Sequence, residues 1–463
     1  MLGLTLFLLA ANSAAGPSPE LARHVCPNGL EVVVAERHAR PLVTAEIAVH
    51  SGAMNEPPEY SGLSHLFEHM FFKANREVPD QVSYMARRRE LGITGDASTD
   101  VERVNYFQTT TRDHFEGMFT FMHAAITGPL FDPGELDRER VVVTGEIDRN
   151  ESTPGYFLWR ETTRHLFAKY PTRKDPLGTR KTVLAATPAM MRTIARRWYV
   201  PNNAVLVVVG DVESDEVFRM ADSVYADWKK TADPFLSYPV PEPPPLGRSE
   251  VVLVEQPVQT FQAQVEWQGP STGGPTKRDS YVADLLGRLT SDPASRFQRE
   301  LVDSSSCVRA GFEWEPEHHV GPIVVSAEAA QAKVDVCIRA LLAELRAMAE
   351  PGFFTEEDRR DAADRAESDL ARLRERTSEY AHMLTYFWAT RSLEDYGAYV
   401  AGLRAVGADD VARFLSAYVL GKPFVFGAMA SPNLVAAGVD RKHLENLAGL
   451  DGAVRTSADR GGR

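Results

Sequence analysis

The chain's 463 residues, 44% of them hydrophobic, can bury roughly two to four domain cores, which excludes a disordered or fibrous protein. Its 51 Lys and Arg against 64 Asp and Glu leave a formal charge of -13 and a pI near 5.5, which argues against a nucleic-acid partner and leaves peptides open. Three cysteines, Cys26, Cys307 and Cys337, have no CxxC spacing, so they supply no thiolate cage and at most one disulfide.

In chain order, residues 1–16 come first. An apolar run from Leu2 to Ala11 precedes the small residues Ser13, Ala14 and Ala15, as in a signal peptide, although no Lys or Arg precedes the run. Export, to the periplasm, is the expectation. The run is far shorter than the ~20 residues that span a bilayer, and no later segment qualifies, so no membrane span is expected. Cys26 lacks the small residues that lipid attachment needs and reads as a structural cysteine.

Residues 30–35 and 43–50 are β-rich and separated by a polar turn ending in Pro41. Leu63, Leu66, Phe67 and Met70 recur at helical spacing, with Ser61 and Ser64 as candidate caps. A strand over 101–110 and helices over 115–126, 135–150 and 188–199 follow; AVLVVVG at 204–210 is a strand buried on both faces. The run DPFLSYPVPEPPPLG then marks a connector, placed at 233–248. Beyond it the order of elements repeats, with strands over 250–255 and 261–267, helices, and a closing strand over 424–430. The expected fold class is therefore α+β in two similar halves, 17–232 and 249–440, with 441–463 as a flexible tail. Helices over 355–376 and 378–390 are expected as solvated outer faces carrying no chemistry.

Residues 65–69 read His-Leu-Phe-Glu-His. Two histidines at i and i+4 project from one helix face about a turn apart, within reach of one ion. Glu68 lies beside them, where it can accept a proton from a water without filling a coordination position. The plain alternative is two imidazoles paired with core carboxylates. Against it, burying unliganded imidazoles in an apolar helix is costly, and no other pair among the twelve histidines has this spacing. Imidazoles with a carboxylate and an open position suit catalytic zinc, one ion per chain. Glu146, in VVVTGEIDRNE, offers the third ligand. Glu139, seven residues earlier on the same helix face, can orient a ligand from behind or be a solvated charge.

At these residues the chain resembles the pitrilysin and insulin-degrading-enzyme group of inverzincins, which includes the mitochondrial processing peptidases. The 76 residues between His69 and Glu146 match that group's spacing. NGLEVVVAERHARPLVTAEIAVHSGAMNEPPEYSGLSHLFEHMFFK, YPTRKDPLGT and YVPNNAVLVVVGDV are similar to its landmarks, so the resemblance is strong over residues 26–215 and faint beyond. It implies paired α/β-sandwich halves, the first a zinc peptidase domain. It also implies zinc-assisted amide hydrolysis with Glu68 as base, and a peptide substrate added as a strand along residues 93–98. Tyr106 lies near the site by resemblance but reads first as a buried strand tyrosine.

Two positions depart from the pattern. Where the group has Asn then Ala in the edge strand, this chain has Asp96 then Ala97, replacing a donor amide by a carboxylate at a substrate-binding position. Where self-sufficient members carry an Arg and a Tyr seven residues apart, alignment places Val302 and Arg309. The implied partner is a paralogous subunit that supplies the missing pair. The rival readings are a non-catalytic structural subunit of the same fold, like the core subunits of the respiratory cytochrome bc complex, and a peptide-binding protein that keeps zinc for stability. His318 and His319 read as a polar hairpin tip without metal.

Overall fold

A computed structural model describes residues 21–450. The first half builds one six-stranded sheet from β1 (Ala22–Val25), β2 (Glu31–Glu36), β3 (Leu42–Val49), β4 (Thr94–Thr99), β5 (Val104–Thr111) and β6 (Ala204–Gly210), in the order β1-β2-β6-β3-β5-β4. β6 carries no polar side chain and is buried along its whole length, because it is central and covered on both faces. Strand alternation sorts its neighbours. Val32, Val34, Ile47, Leu206 and Val208 face one core, and Val33, Ala35, Ala48, Val205 and Val207 face another.

The first core is closed by helices of the same half, including α1 (Leu63–Phe71), α2 (Phe115–Thr127), α3 (Pro133–Glu151) and α5 (Ser214–Val224). Between the last two in the chain, α4 (Pro154–Leu166) crosses to the other half. The second half has β7 (Glu250–Glu255), β8 (Thr260–Gln268), β9 (Arg309–Trp314), β10 (Pro322–Ala330) and β11 (Val425–Ala430), in the order β7-β11-β8-β10-β9. β2 runs parallel to β6 as β7 does to β11, and the remaining pairs are antiparallel in both sheets. The repeated order of elements is thus one topology used twice, and β1 is the strand without a counterpart. Helices α6 (Lys277–Ser291), α7 (Glu356–Leu373), α8 (Thr377–Thr390) and α9 (Arg441–Leu447) belong to this half.

The halves exchange a helix. α8 lies across β3 and β6, where Tyr380, Ala381, Leu384 and Thr385 are buried, Thr385 Oγ1 donates to Glu46 at 2.5 Å and Trp388 stacks on His50 at 3.7 Å. α4 lies across β11, and Thr162 Oγ1 donates to Glu266 at 2.7 Å. Gly427 permits this approach, since a Cβ there would stand 2.1 Å from the Thr162 methyl. The expectation that 378–390 is a solvated outer face is therefore corrected. Its aromatic and aliphatic residues cover the other half's sheet, whereas α7 buries only the stripe Ala362, Ala363, Ala366 and Leu370.

Further contacts refine the boundaries. Leu444 and Leu447 of α9 are buried against the second half, so the folded chain continues past residue 440, where a flexible tail was expected. Residues 1–16 and 451–463 lie outside the described residues. Cys307 and Cys337 form the one permitted disulfide, and Cys26 is free and buried. The connector begins as a short helical turn, Pro234–Ser237, with Pro234 buried. His318 and His319 sit between β9 and β10; both backbone N–H groups donate to the buried Glu102 carboxylate, at 2.5 and 2.9 Å, tying this tip to the β4–β5 turn. Among the described residues, no helix is long and apolar enough to cross a membrane.

Candidate metal centre

Entry to α1 is set by Gly62 at φ +87°, packed so closely that a Cβ would meet the Leu177 carbonyl oxygen at 2.5 Å. Neither Ser61 nor Ser64 caps the helix through its side chain. The Glu56 carboxylate does so instead, accepting from the N–H groups of Gly62 at 2.6 Å and Ser64 at 2.5 Å. Every α1 residue is buried except His65 and His69, so the apolar stripe that anchors the helix also aims the two imidazoles outward. Opposite, α3 starts at Asp132, whose side chain accepts from Glu135 N–H, with Pro133 in its first turn. That start brings Glu139 and Glu146 to the face opposite α1.

His65 Nε2 lies 3.5 Å and His69 Nε2 3.7 Å from the same Glu146 oxygen, Oε2, and the two rings stand 4.8 Å apart, nearly perpendicular. Glu139 Oε2 is 2.9 Å from His69 Nδ1, and its other oxygen is 2.6 Å from Lys73 Nζ. An Nδ1–H donated to Glu139 leaves the His69 Nε2 lone pair free for a cation. Burial raises the Glu139 pKa, but the bonds from His69 and Lys73 outweigh it and hold the carboxylate below its ordinary range. Burial, with His69 beside it, pushes His65 down to about 3, so this imidazole is neutral, as a metal ligand must be. His65 Nδ1 is buried with no hydrogen-bond partner. Two imidazole nitrogens and one carboxylate oxygen converging within reach of one ion fit zinc.

Glu68 is outside this ligand cluster. It is buried and accepts a hydrogen bond from Thr99 Oγ1 at 2.7 Å. Burial lifts it to about 7, the Thr99 bond and His69 pull it down, and Asp96 and Glu146 push it up. A carboxylate so shifted beside the candidate ligand set is suited to accept and return a proton. Thr99 ends β4, the exposed edge of the sheet. On that edge Asp96 is exposed, Ala97 is half-buried, and Asp96 Oδ1 accepts from the Ala97 N–H at 2.9 Å. Tyr106 is fully buried, with its hydroxyl 3.0 Å from that of Tyr199.

Val302 and Arg309 stand in the second half, Val302 on a cavity wall between α6 and β9 and Arg309 84% exposed at the start of β9. Sequence reasoning did not anticipate Glu56, Lys73 and Thr99. Lys73, four residues beyond His69, had a helical-spacing signal; the other two act across tertiary contacts.

Residues 31–179 match the family model for insulinase, peptidase family M16, and residues 185–365 match the model described as the peptidase M16 inactive domain. The chain is 27% identical over 204 residues to the probable zinc protease PqqL of Escherichia coli, covering 42% of this chain and 22% of that one. It is 24% identical over 321 residues to the zinc protease PqqE of Helicobacter pylori, covering 67% and 71%. In structure it is similar to a protease from H. pylori, with a TM-score of 0.80 at 19% identity over 89% of this chain and all of that one. It is also similar to the periplasmic protease PqqL of E. coli, with a TM-score of 0.76 at 16% identity over 97% of this chain and 52% of that one. The chain therefore spans about half of that PqqL structure, and it belongs to the M16 peptidase family, whose two-domain fold it has.

Proposed function

We propose that this chain is a zinc-dependent endopeptidase of unstructured peptides, carrying one catalytic zinc on His65, His69 and Glu146. The observation that carries this reading is the approach of both Nε2 atoms, at 3.5 and 3.7 Å, to a single Glu146 oxygen, with Glu68 buried outside the ligand set. Zinc held there supplies Lewis acidity, lowering the pKa of water and polarising a peptide carbonyl. Glu68 takes the proton of the attacking water and hands it to the leaving amine, while Thr99 fixes its orientation. Glu139, itself held by Lys73, keeps the His69 ring in register. The β4 edge receives the substrate as an added strand, which only an unfolded peptide can provide. Asp96 places a carboxylate at that edge, favouring substrates with a basic side chain nearby.

A paralogous subunit supplying an Arg and a Tyr completes the active site. This is supported by Val302 and Arg309 at the aligned positions. An exported, periplasmic location is supported by the Cys307–Cys337 disulfide and by the periplasmic protease PqqL. The test measures zinc content and cleavage of an unstructured peptide by the purified chain, alone and with the paralogue. One zinc per chain, chelator-sensitive cleavage and a gain on mixing are expected. Zinc without cleavage in either preparation would instead establish a structural or peptide-binding subunit.

A further inference from the structure

β1 is the strand that the second half lacks, and it is a four-residue edge strand. His24 lies on it and Cys26 follows directly, two residues apart and thus on one face. Asp222 of α5 faces them, with both carboxylate oxygens on His24 Nε2, at 2.9 and 3.0 Å. One ligand atom from each of the three side chains lies within 4.8 Å of the others.

The surroundings hold these groups in place. Phe218, one turn before Asp222 on α5, packs on the His24 ring at 5.2 Å. Cys26 opens a tight turn in which its N–H donates to the Leu30 carbonyl at 2.9 Å and its carbonyl accepts from Gly29 N–H at 2.8 Å. The side chain of Asn28, inside that turn, donates to the carbonyls of Tyr225 and Trp228, at 2.8 and 3.1 Å, locking the turn to the end of α5. The Tyr225 hydroxyl is fully buried and has no hydrogen-bond partner.

The geometry points to a second metal site, in which His24, Cys26 and Asp222 hold a borderline divalent cation of the zinc class and clasp β1 to α5. Sulfur, imidazole nitrogen and carboxylate oxygen form a mixed donor set that suits zinc and leaves one position for water. Calcium and magnesium, which take all-oxygen shells, do not fit. A nucleophilic Cys–His pair is excluded by the same arrangement. The imidazole bonds Asp222 rather than the thiol, and burial followed by Asp222 pushes the Cys26 thiol up to about 12. On cation binding the thiol proton leaves to solvent and the sulfur takes up the metal. Neither the peptidase reading nor the first centre is required for this.

The test uses cobalt(II) as the probe on the metal-free full chain. Sulfur-to-cobalt charge transfer absorbs in the near ultraviolet, and Cys26 is the one free cysteine among the described residues, while His65, His69 and Glu146 offer no sulfur. The expected result is a saturable charge-transfer band, lost in Cys26→Ser, together with one bound equivalent fewer in that variant than in the wild type. Peptide cleavage is expected to be unchanged. His24→Gln and Asp222→Asn, both at partly open positions, are expected to shift the titration to higher cobalt and serve if Cys26→Ser does not fold. A wild type without the band, or a band that survives in Cys26→Ser, overturns the proposal.

Discussion

The two halves share one topology and differ in what they do with buried charge. In the first, α1 presents two imidazoles to Glu146, and one of their nitrogens has no partner. In the second, α6 stands in the equivalent place between β8 and β9 and carries Asp284 and Arg288 instead. There Asp284 is bonded to Arg391 at 2.5 Å and to the Tyr399 hydroxyl at 3.0 Å, and Arg288 to Asp369 at 2.7 Å. At this position the first half leaves an imidazole nitrogen without a partner, whereas the second half pairs its charges with one another. The scaffold is common to both; the chemistry is grafted on one.

The largest effect should come from Glu68→Gln. It should leave zinc in place and lower peptide turnover by roughly 10²- to 10⁴-fold, measured as kcat beside metal content; unaltered turnover would break the distinction between the halves. Asp284→Asn probes the opposite half. It leaves the 3%-exposed Arg391 without its anion and should cost about 3–5 kcal/mol in denaturant unfolding, with zinc affinity unchanged. Glu139→Ala should weaken zinc binding about 10- to 100-fold, read by competition with a chelator, because His69 loses the carboxylate that orients it.

The exchanged helices allow a symmetrical test. Thr162→Val and Thr385→Val each remove a hydroxyl that satisfies a buried strand glutamate, and each should cost about 1–3 kcal/mol by urea midpoint. A cost confined to one of them would show that the exchange is energetically one-sided. The last effect concerns pH. Burial raises Glu266 to about 7, above its ordinary 4.5, so the native state holds this proton longer than the unfolded chain does. Its contribution is fully present below about pH 4.5 and is lost as pH rises through about 7. Glu266→Gln should remove that loss, and the difference between wild-type and variant stabilities across this window measures it.

Much of this was legible in the residues themselves. The HLFEH spacing implied one metal-facing stripe on a helix, the all-apolar AVLVVVG implied a doubly covered strand, and the repeated element order implied two like halves. Glu139 and Glu146 were legible because seven residues nearly complete two helical turns, so they share a face. Glu56 and Thr99 were not, because each reaches the site from another element. The aromatic face of α8 was misassigned to solvent for the same reason: the sheet it covers begins more than three hundred residues earlier.

By itself, then, the sequence determined what depends on local period: that the most strongly periodic segments are helices and strands, which side chains share a face, and that two histidines stand a turn apart. Only the tertiary structure decided which half each exchanged helix covers, which oxygen the imidazoles meet, and that His24 and Cys26 find Asp222 nearly two hundred residues away. The reason is physical. Backbone geometry repeats over a few residues and can be read along the chain, whereas packing joins whichever apolar faces remain uncovered, wherever they lie in it.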